Sequence, residues 1–185
     1  MERTLIIVKP HAVKRGLVGL FLTRFEAMGL SILAATASKG TKELWERFYP
    51  SDTTWLKNVG LKTVDDCVSR KIDVGTKLGT SDPVAIGRMV KGWLVEHMSS
   101  DISVAIVLAG NDAQTKVRAA CGSTLPNKAA PGTIRFEFST DSPSLANDEM
   151  RPVFNLIHAS DPTEERDGQL AADYEIGLLF PELGK

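Results

Sequence analysis

A chain of 185 residues, 43% apolar and 24% charged, has the make-up of a soluble globular protein long enough to bury one substantial core. Its formal net charge of -1 supplies no overall field to gather nucleic acid or anionic lipid, and no stretch approaches the roughly 18 to 20 continuous apolar residues of a membrane helix. The charged opening MERTLIIVK lacks the basic-then-apolar pattern of a signal peptide, so the expected compartment is the cytoplasm.

Residues 3–8 (RTLIIV) form a β-branched run that Lys9-Pro10 breaks, and 16–28 carry Leu17, Leu20, Phe21, Arg24 and Phe25 at helical spacing. Gly29 stops that helix, 30–37 (LSILAATA) reads as a second strand, and Thr41 caps a helical piece ending at Tyr49. From Pro50 the pattern changes to short helical pieces. A longer amphipathic helix follows Asp82-Pro83, with Val90, Trp93, Leu94 and Met98 on one face. Residues 102–108 (ISVAIVL) are the most strand-like segment, and 112–121 read as a helix. The Gly-, Pro- and Thr-rich stretch from Gly122 to Phe138 is long enough to suggest a functional loop. VFNLIH then leads to Ser160-Asp161-Pro162, a charged loop and a last apolar run, EIGLLF, which is read as strand. This order fits a ferredoxin-like α+β fold (βαββαβ), an antiparallel sheet with helices packed on it, plus an inserted helical hairpin. One domain, 1–185, is expected, with insertions at about 50–92, 139–152 and 163–174. Cys67 and Cys121 stand outside any CxxC or His-rich context and are expected to be small buried hydrophobes.

Of the three histidines, His97 lies in an amphipathic helix without notable polar neighbours, and His11 follows Lys9-Pro10, where it helps begin a helix. His158 differs. Asp161, Pro162 and Glu164 match an N-cap, a first-turn proline and a capping-box acid, so a helix is expected immediately after it. An imidazole beside a helix N-terminus sits where an anion is favoured, and the neutral ring is a nucleophile toward phosphorus. Phosphate chemistry then needs cations and donors elsewhere. No GxxxxGK[ST], GxGxxG, HRD or DFG motif is present. The candidates are discrete residues: Lys9 at a strand end, Arg118 on a helix, and Thr124 and Arg135 in the long loop.

Together these segments resemble the nucleoside diphosphate kinase family. ERTLIIVKPHAVKRGLVG resembles its opening, Arg118 to Arg135 its nucleotide-binding loop, NLIHASDP its active-site NxxHGSD motif, and EIGLLFPEL its final strand. The resemblance implies that His158 accepts the γ-phosphoryl group of a nucleoside triphosphate, as a pros-phosphohistidine, and passes it to a nucleoside diphosphate in a ping-pong cycle with little base selectivity. It implies nucleotide contacts from Lys9, Tyr49, Arg118, Thr124, Arg135 and Asn155, with Ser160 and Glu175 holding the imidazole. It further implies Mg²⁺ carried on the nucleotide's phosphates without protein ligands, and a homo-oligomer, most often a hexamer built from dimers, with tetramer and dimer as alternatives. Neither membrane nor nucleic acid is an expected partner. Two positions depart from the family pattern: His11 stands where it has Asp, and Ala159 where it has Gly directly after the histidine. Alanine would be strained there if the position needed positive φ. Trp55 and Trp93 both compete for the family's base-stacking aromatic, and neither is assigned.

Overall fold

A computed structural model describes residues 1–183. The chain divides into two compact units: the first comprises 1–39, 101–140 and the stretch from Asn155 onward, the second 40–100 and 141–154.

The first unit is built on a four-stranded antiparallel sheet of β1 (Glu2–Val8), β2 (Ser31–Ser38), β3 (Ser103–Gly110) and β4 (Ile157–Ala159), in the order β2-β3-β1-β4. This is the ferredoxin-like arrangement. Leu5, Ile6, Ile7 and Val8 on β1 are all fully buried because the strand lies inside the sheet and is covered on both faces. That explains their continuous apolar run in place of an alternation. Ile6 and Val8 join Ile106 and Leu108 of β3 in one core, with Phe21 and Phe25 from helix α2 (Val18–Ala27) and Val117 and Cys121 from α7 (Ala113–Cys121). Helix α10 (Ala171–Leu179) packs against β1. A short helix α1 (Pro10–Lys14) follows β1, with proline in its first turn. The loop Gly122 to Phe138 contains a 3-10 turn at Pro126–Lys128 and helix α8 (Ile134–Phe138).

Two expectations are corrected here. EIGLLF is helical, since 175–179 belong to α10. The deciding residues are Ala171, Ala172, Glu175 and Ile176, all buried, whose spacing is one helical face; a window starting at Glu175 omits its first half. No helix starts immediately after His158 either. Asp161 Oδ1 accepts from the N–H (2.9 Å) and hydroxyl (2.7 Å) of Thr163 in a local turn. The chain then forms a hairpin, β5 (Glu165–Arg166) with β6 (Gln169–Leu170). Its turn, Asp167-Gly168, has φ 52° and 76°, the two positive values a tight hairpin requires and for which Asp-Gly is suited.

The second unit is helical: α3 (Lys42–Phe48), α4 (Thr53–Ser69), α5 (Val74–Leu78), α6 (Pro83–Ser100) and α9 (Pro143–Asp148). Thr41, Asp52, Asp73 and Ser142 each cap a helix by accepting a backbone N–H. Asp66 on α4 accepts from Ser144 and Asn147, and Arg70 reaches Asp148, which also pairs with Lys77, so α9 is tied to α4 and α5. Cys67 and Cys121 are buried and unbridged.

Helices α4 and α6 touch backbone to backbone. A Cβ on Gly60 would lie 1.9 Å from the Pro83 carbonyl oxygen, and one on Gly87 2.0 Å from that of Leu56. Either glycine replaced by alanine is therefore expected to cost about 1–3 kcal/mol through forced separation of the helices, lowering Tm by roughly 2–4 °C per kcal/mol. Gly92→Ala, on α6 where a Cβ would meet nothing within 4 Å, is the control and should be neutral or slightly stabilising. Thermal melts followed by circular dichroism would decide, and equal melting of all three variants would contradict the packing argument.

Candidate active site

The site grows from the junction of β1 and β4. Ile7 lies directly opposite His158 in the antiparallel register, flanked by the pairs Ile6 with Ala159 and Val8 with Ile157. Opposed residues share a face of the sheet. The N–H of Ser160 donates to the Leu5 carbonyl (3.1 Å), and the N–H of Leu5 to the Ser160 hydroxyl (3.3 Å), extending the seam by one residue.

Before β4 the backbone makes a tight turn. The N–H of Ile157 donates to the Asn155 carbonyl (2.8 Å) across Leu156, whose φ is 70°. For a non-glycine residue this conformation costs on the order of 1–3 kcal/mol, and its surroundings must enforce it. Leu156 is fully buried, its carbonyl accepts the N–H of Lys9 (2.9 Å), and its N–H donates to His11 Nε2 (3.0 Å). Arg135 closes the arrangement, donating from Nε to Asn155 O (3.3 Å), from Nη1 to Gly122 O (2.6 Å) and from Nη2 to Ile157 O (2.6 Å). Ala159 does not have positive φ, so alanine is unstrained in β4. The positive φ falls instead on Leu156.

On the α10 side, Glu175 is 3% exposed and its Oε2 meets His158 Nε2 at 3.0 Å. The hydroxyl of Ser160, fully buried, donates to the same oxygen at 2.5 Å. A buried carboxylate so engaged fixes the ring plane of the imidazole and holds its Nε2.

Around this pair lie the cations. Lys9, 6% exposed, donates from Nζ to Asn155 Oδ1 (2.7 Å), and Asn155 Nδ2 donates to the Thr124 carbonyl (2.9 Å). Among the described residues no carboxylate pairs with this ammonium. Burial, then the Arg135 charge, pulls its pKa down to about 7. Burial also lowers that of Arg135. Arg118 on α7 donates to Asp161 Oδ2 (2.8 Å) and to the Ala159 carbonyl (3.3 Å). Burial pushes the Asp161 carboxyl up, but the Thr163 donors, Arg118 and His158 more than offset it. Thr124 itself is exposed.

Thus Lys9, Arg118, Thr124, Arg135, Asn155, His158, Ser160 and Glu175 share the first unit and are linked by these bonds. Tyr49 belongs to the second unit, where it caps α3, is buried, and meets Phe48 edge-on (ring centroids 5.4 Å apart) and Trp55 (6.3 Å). Two participants escaped sequence reasoning: His11 as an acceptor and Asp161 as the partner of Arg118. Of these only Asp161 carried a signal, as an acid three residues beyond the histidine.

Comparison with known proteins agrees with the geometry. The sequence model of the nucleoside diphosphate kinase family matches residues 2–56 and 87–183. A nucleoside diphosphate kinase from Pyrobaculum aerophilum is 48% identical over 182 residues, covering 98% of this chain and 96% of that one. One from Thermoanaerobacter sp. is 34% identical, covering 99% of each. The crystal structure of an NDP kinase from Pyrobaculum aerophilum superposes with a TM-score of 0.90 at 46% identity, over 97% of this chain and 95% of that one. A nucleoside diphosphate kinase from Borrelia burgdorferi, solved with bound vanadate and ADP as a transition-state mimic, gives a TM-score of 0.70 at 31% identity, over 97% and 86%. The chain belongs to the nucleoside diphosphate kinase family.

Proposed function

We propose that this chain works as a nucleoside diphosphate kinase through a phosphohistidine at His158, and the observation that carries the reading is the grip of buried Glu175 on Nε2. With that nitrogen held, transfer is assigned to Nδ1, the pros position. Its lone pair forms the N–P bond to the γ-phosphorus as the bridging P–O bond breaks, and the electron pair departs on the β-phosphate oxygen of the diphosphate. In the second half an oxygen of the acceptor's β-phosphate attacks, the N–P bond breaks, and the pair returns to Nδ1. Glu175 stabilises the charge that the ring acquires, and Ser160 keeps the carboxylate in register.

Lys9, Arg118 and Arg135 supply positive charge for the phosphates, while Thr124 and Asn155 orient the nucleotide. All three nitrogens of Arg135 meet backbone carbonyls, which supports a role in shaping the pocket as well as in charge. The Asp161 contact of Arg118 is exchangeable for a phosphate oxygen. The assignment of Tyr49 rests on the family motif alone. Mg²⁺ would ride on the phosphate oxygens and neutralise their charge. The donor set fits this, because Glu175 is engaged by His158 and Ser160 and Asp161 by Arg118 and Thr163. Among the described residues no three of His, Cys, Asp and Glu gather as a cage.

Assembly into a homo-oligomer, a hexamer by family habit, is supported by Ile32 and Leu33, both exposed on edge strand β2. A cytoplasmic location is consistent with the lack, among the described residues, of a helix long and apolar enough to cross a membrane.

Incubated with γ-labelled ATP and Mg²⁺, the wild type is expected to take label and discharge it to GDP, whereas His158→Ala does neither. Glu175→Gln should label about 10- to 100-fold more slowly; a wild type that stays unlabelled contradicts the reading. For Lys9 the sign follows from its lowered pKa. Between about 7 and 10.5 the unfolded chain holds a proton that the folded one has lost, so stability of the nucleotide-free protein rises with pH across this window. Lys9→Met should flatten that rise in urea unfolding. Phosphate favours the ammonium, so ADP binding near the top of neutral pH should take up a proton, seen as buffer-dependent heat in calorimetry; buffer-independent heat speaks against it. Static light scattering should give a multiple of the chain mass, and a monomer would remove the assembly from the reading.

A further inference from the structure

The backbone N–H of Leu156 poses a problem that the reaction scheme does not address. Leu156 is fully buried, and the sheet offers its N–H nothing, because the ladder of β4 against β1 ends at the pair Val8 with Ile157. Its neighbours in the turn are already committed: Asn155 O to Ile157 N–H and Arg135, and Leu156 O to Lys9 N–H. The acceptor is a side chain, Nε2 of His11 at 3.0 Å, delivered from the second position of α1. A ring nitrogen accepts only when it carries a lone pair, so this bond requires neutral His11 with its proton on Nδ1.

We infer that His11 is a positioning residue for phosphoryl transfer: its neutral ring holds the Leu156 turn, and through the turn the three-residue strand that carries His158, so that protonating His11 releases the turn and slows transfer. The inference rests on His158 being the phosphoryl acceptor.

Protonation would set an imidazolium N–H against the Leu156 N–H, leaving a buried donor unsatisfied in a turn that already holds a positive φ. Arg135 grips the carbonyls on either side, Asn155 O and Ile157 O, but carbonyl contacts cannot replace an acceptor for Leu156 N–H. His158 is two residues on, at the centre of β4, and a shift of the strand changes the ring's approach to phosphorus. Such approach geometry is worth large factors in rate.

Charged groups on the neighbouring elements include several cations. Lys14 and Arg15 follow on its own chain segment, where Lys14 pairs with Asp101 just before β3 and Arg15 donates to the carbonyl of Phe138, the last residue of α8. Lys9 at the end of β1 and Arg135 from α8 both bond to Asn155, and His158 lies on β4. An amide or carboxylate at position 11 could accept the same N–H through mild acid. Imidazole is the acceptor that loses this capacity when it takes up a proton on Nε2.

The test is the pH profile of single-turnover labelling by saturating γ-labelled ATP and Mg²⁺ in wild type, His11→Gln and His11→Phe. Glutamine presents an acceptor oxygen near the place of Nε2 that does not titrate; phenylalanine presents none. Wild type and His11→Gln should label at rates within about threefold of each other at about pH 8. Toward acid the wild type should fall more steeply than His11→Gln, by the one further proton that His11 takes up. His11→Phe should be slower by about tenfold or more at every pH, with KM for ATP within about threefold of wild type. Hydrogen exchange at the Leu156 amide gives a second readout, protected in wild type and His11→Gln and lost in His11→Phe. Coincident acid limbs in wild type and His11→Gln overturn the inference, as does a His11→Phe protein that labels like wild type. A wild type that takes no label overturns the phosphohistidine reading instead; the exchange pattern then decides alone whether His11 holds the turn. The comparison of wild type with His11→Gln stands even if His11→Phe fails to fold.

Discussion

An imidazole can meet phosphorus with one nitrogen reliably only if something rigid holds the other, and in this protein that holder is a buried carboxylate. Glu175 reaches His158 Nε2 and the Ser160 hydroxyl from the face of α10 that packs on β1. The carboxylate can be buried because both partners satisfy it. Ser160 can serve because its own backbone and hydroxyl are joined to Leu5. The chemistry of the site thus leans on the register of β1 against β4. A slip of one residue would turn His158 to the opposite face and leave Glu175 without its histidine.

The same junction stores unfavourable energy. Leu156 holds a positive φ, Lys9 is buried with no carboxylate partner among the described residues, and Arg135 spends its donors on carbonyls. Each feature opposes folding taken by itself, and each lies within the small region that would receive a triphosphate. A ligand carrying several negative charges relieves such a site, and a site prepared in this way has little reorganisation left to do when the phosphates arrive. The helical unit is built on different terms. Its helices are capped by Thr, Asp and Ser side chains and drawn together by Gly60 and Gly87, and its buried Lys91 is paired with Glu46 and Ser51.

Much of this was legible along the chain. LIIV and SVAIVL are strands because β-branched and apolar runs of that length suit a buried antiparallel sheet, and Leu17, Phe21 and Phe25 mark a helix by their spacing. Lys9, Arg118, Arg135, Asn155 and His158 stood out through their residue types and the motifs around them. The errors have identifiable causes. Ser160-Asp161-Pro162 looked like a helix cap, yet the Asp161 carboxylate is taken by Thr163 and Arg118, and Asp167-Gly168 favours a hairpin. EIGLLF looked like a strand because its helical partners, Ala171 and Ala172, are too small to mark a face by hydropathy.

Most element types, the family and the candidate histidine follow from local pattern, because periodicity, turn chemistry and a motif are all written in neighbouring residues. What joined His11 to Leu156, Ser160 to Leu5 and Glu175 to His158 was the tertiary structure. Those partners lie 145, 155 and 17 residues apart, and a hydrogen bond acts over about 3 Å of space whatever the separation along the chain. The same holds for strain: the positive φ at Leu156, with Ala159 relaxed beside it, is imposed by bonds from β1, α1 and α8 and by nothing in the residues of the turn itself.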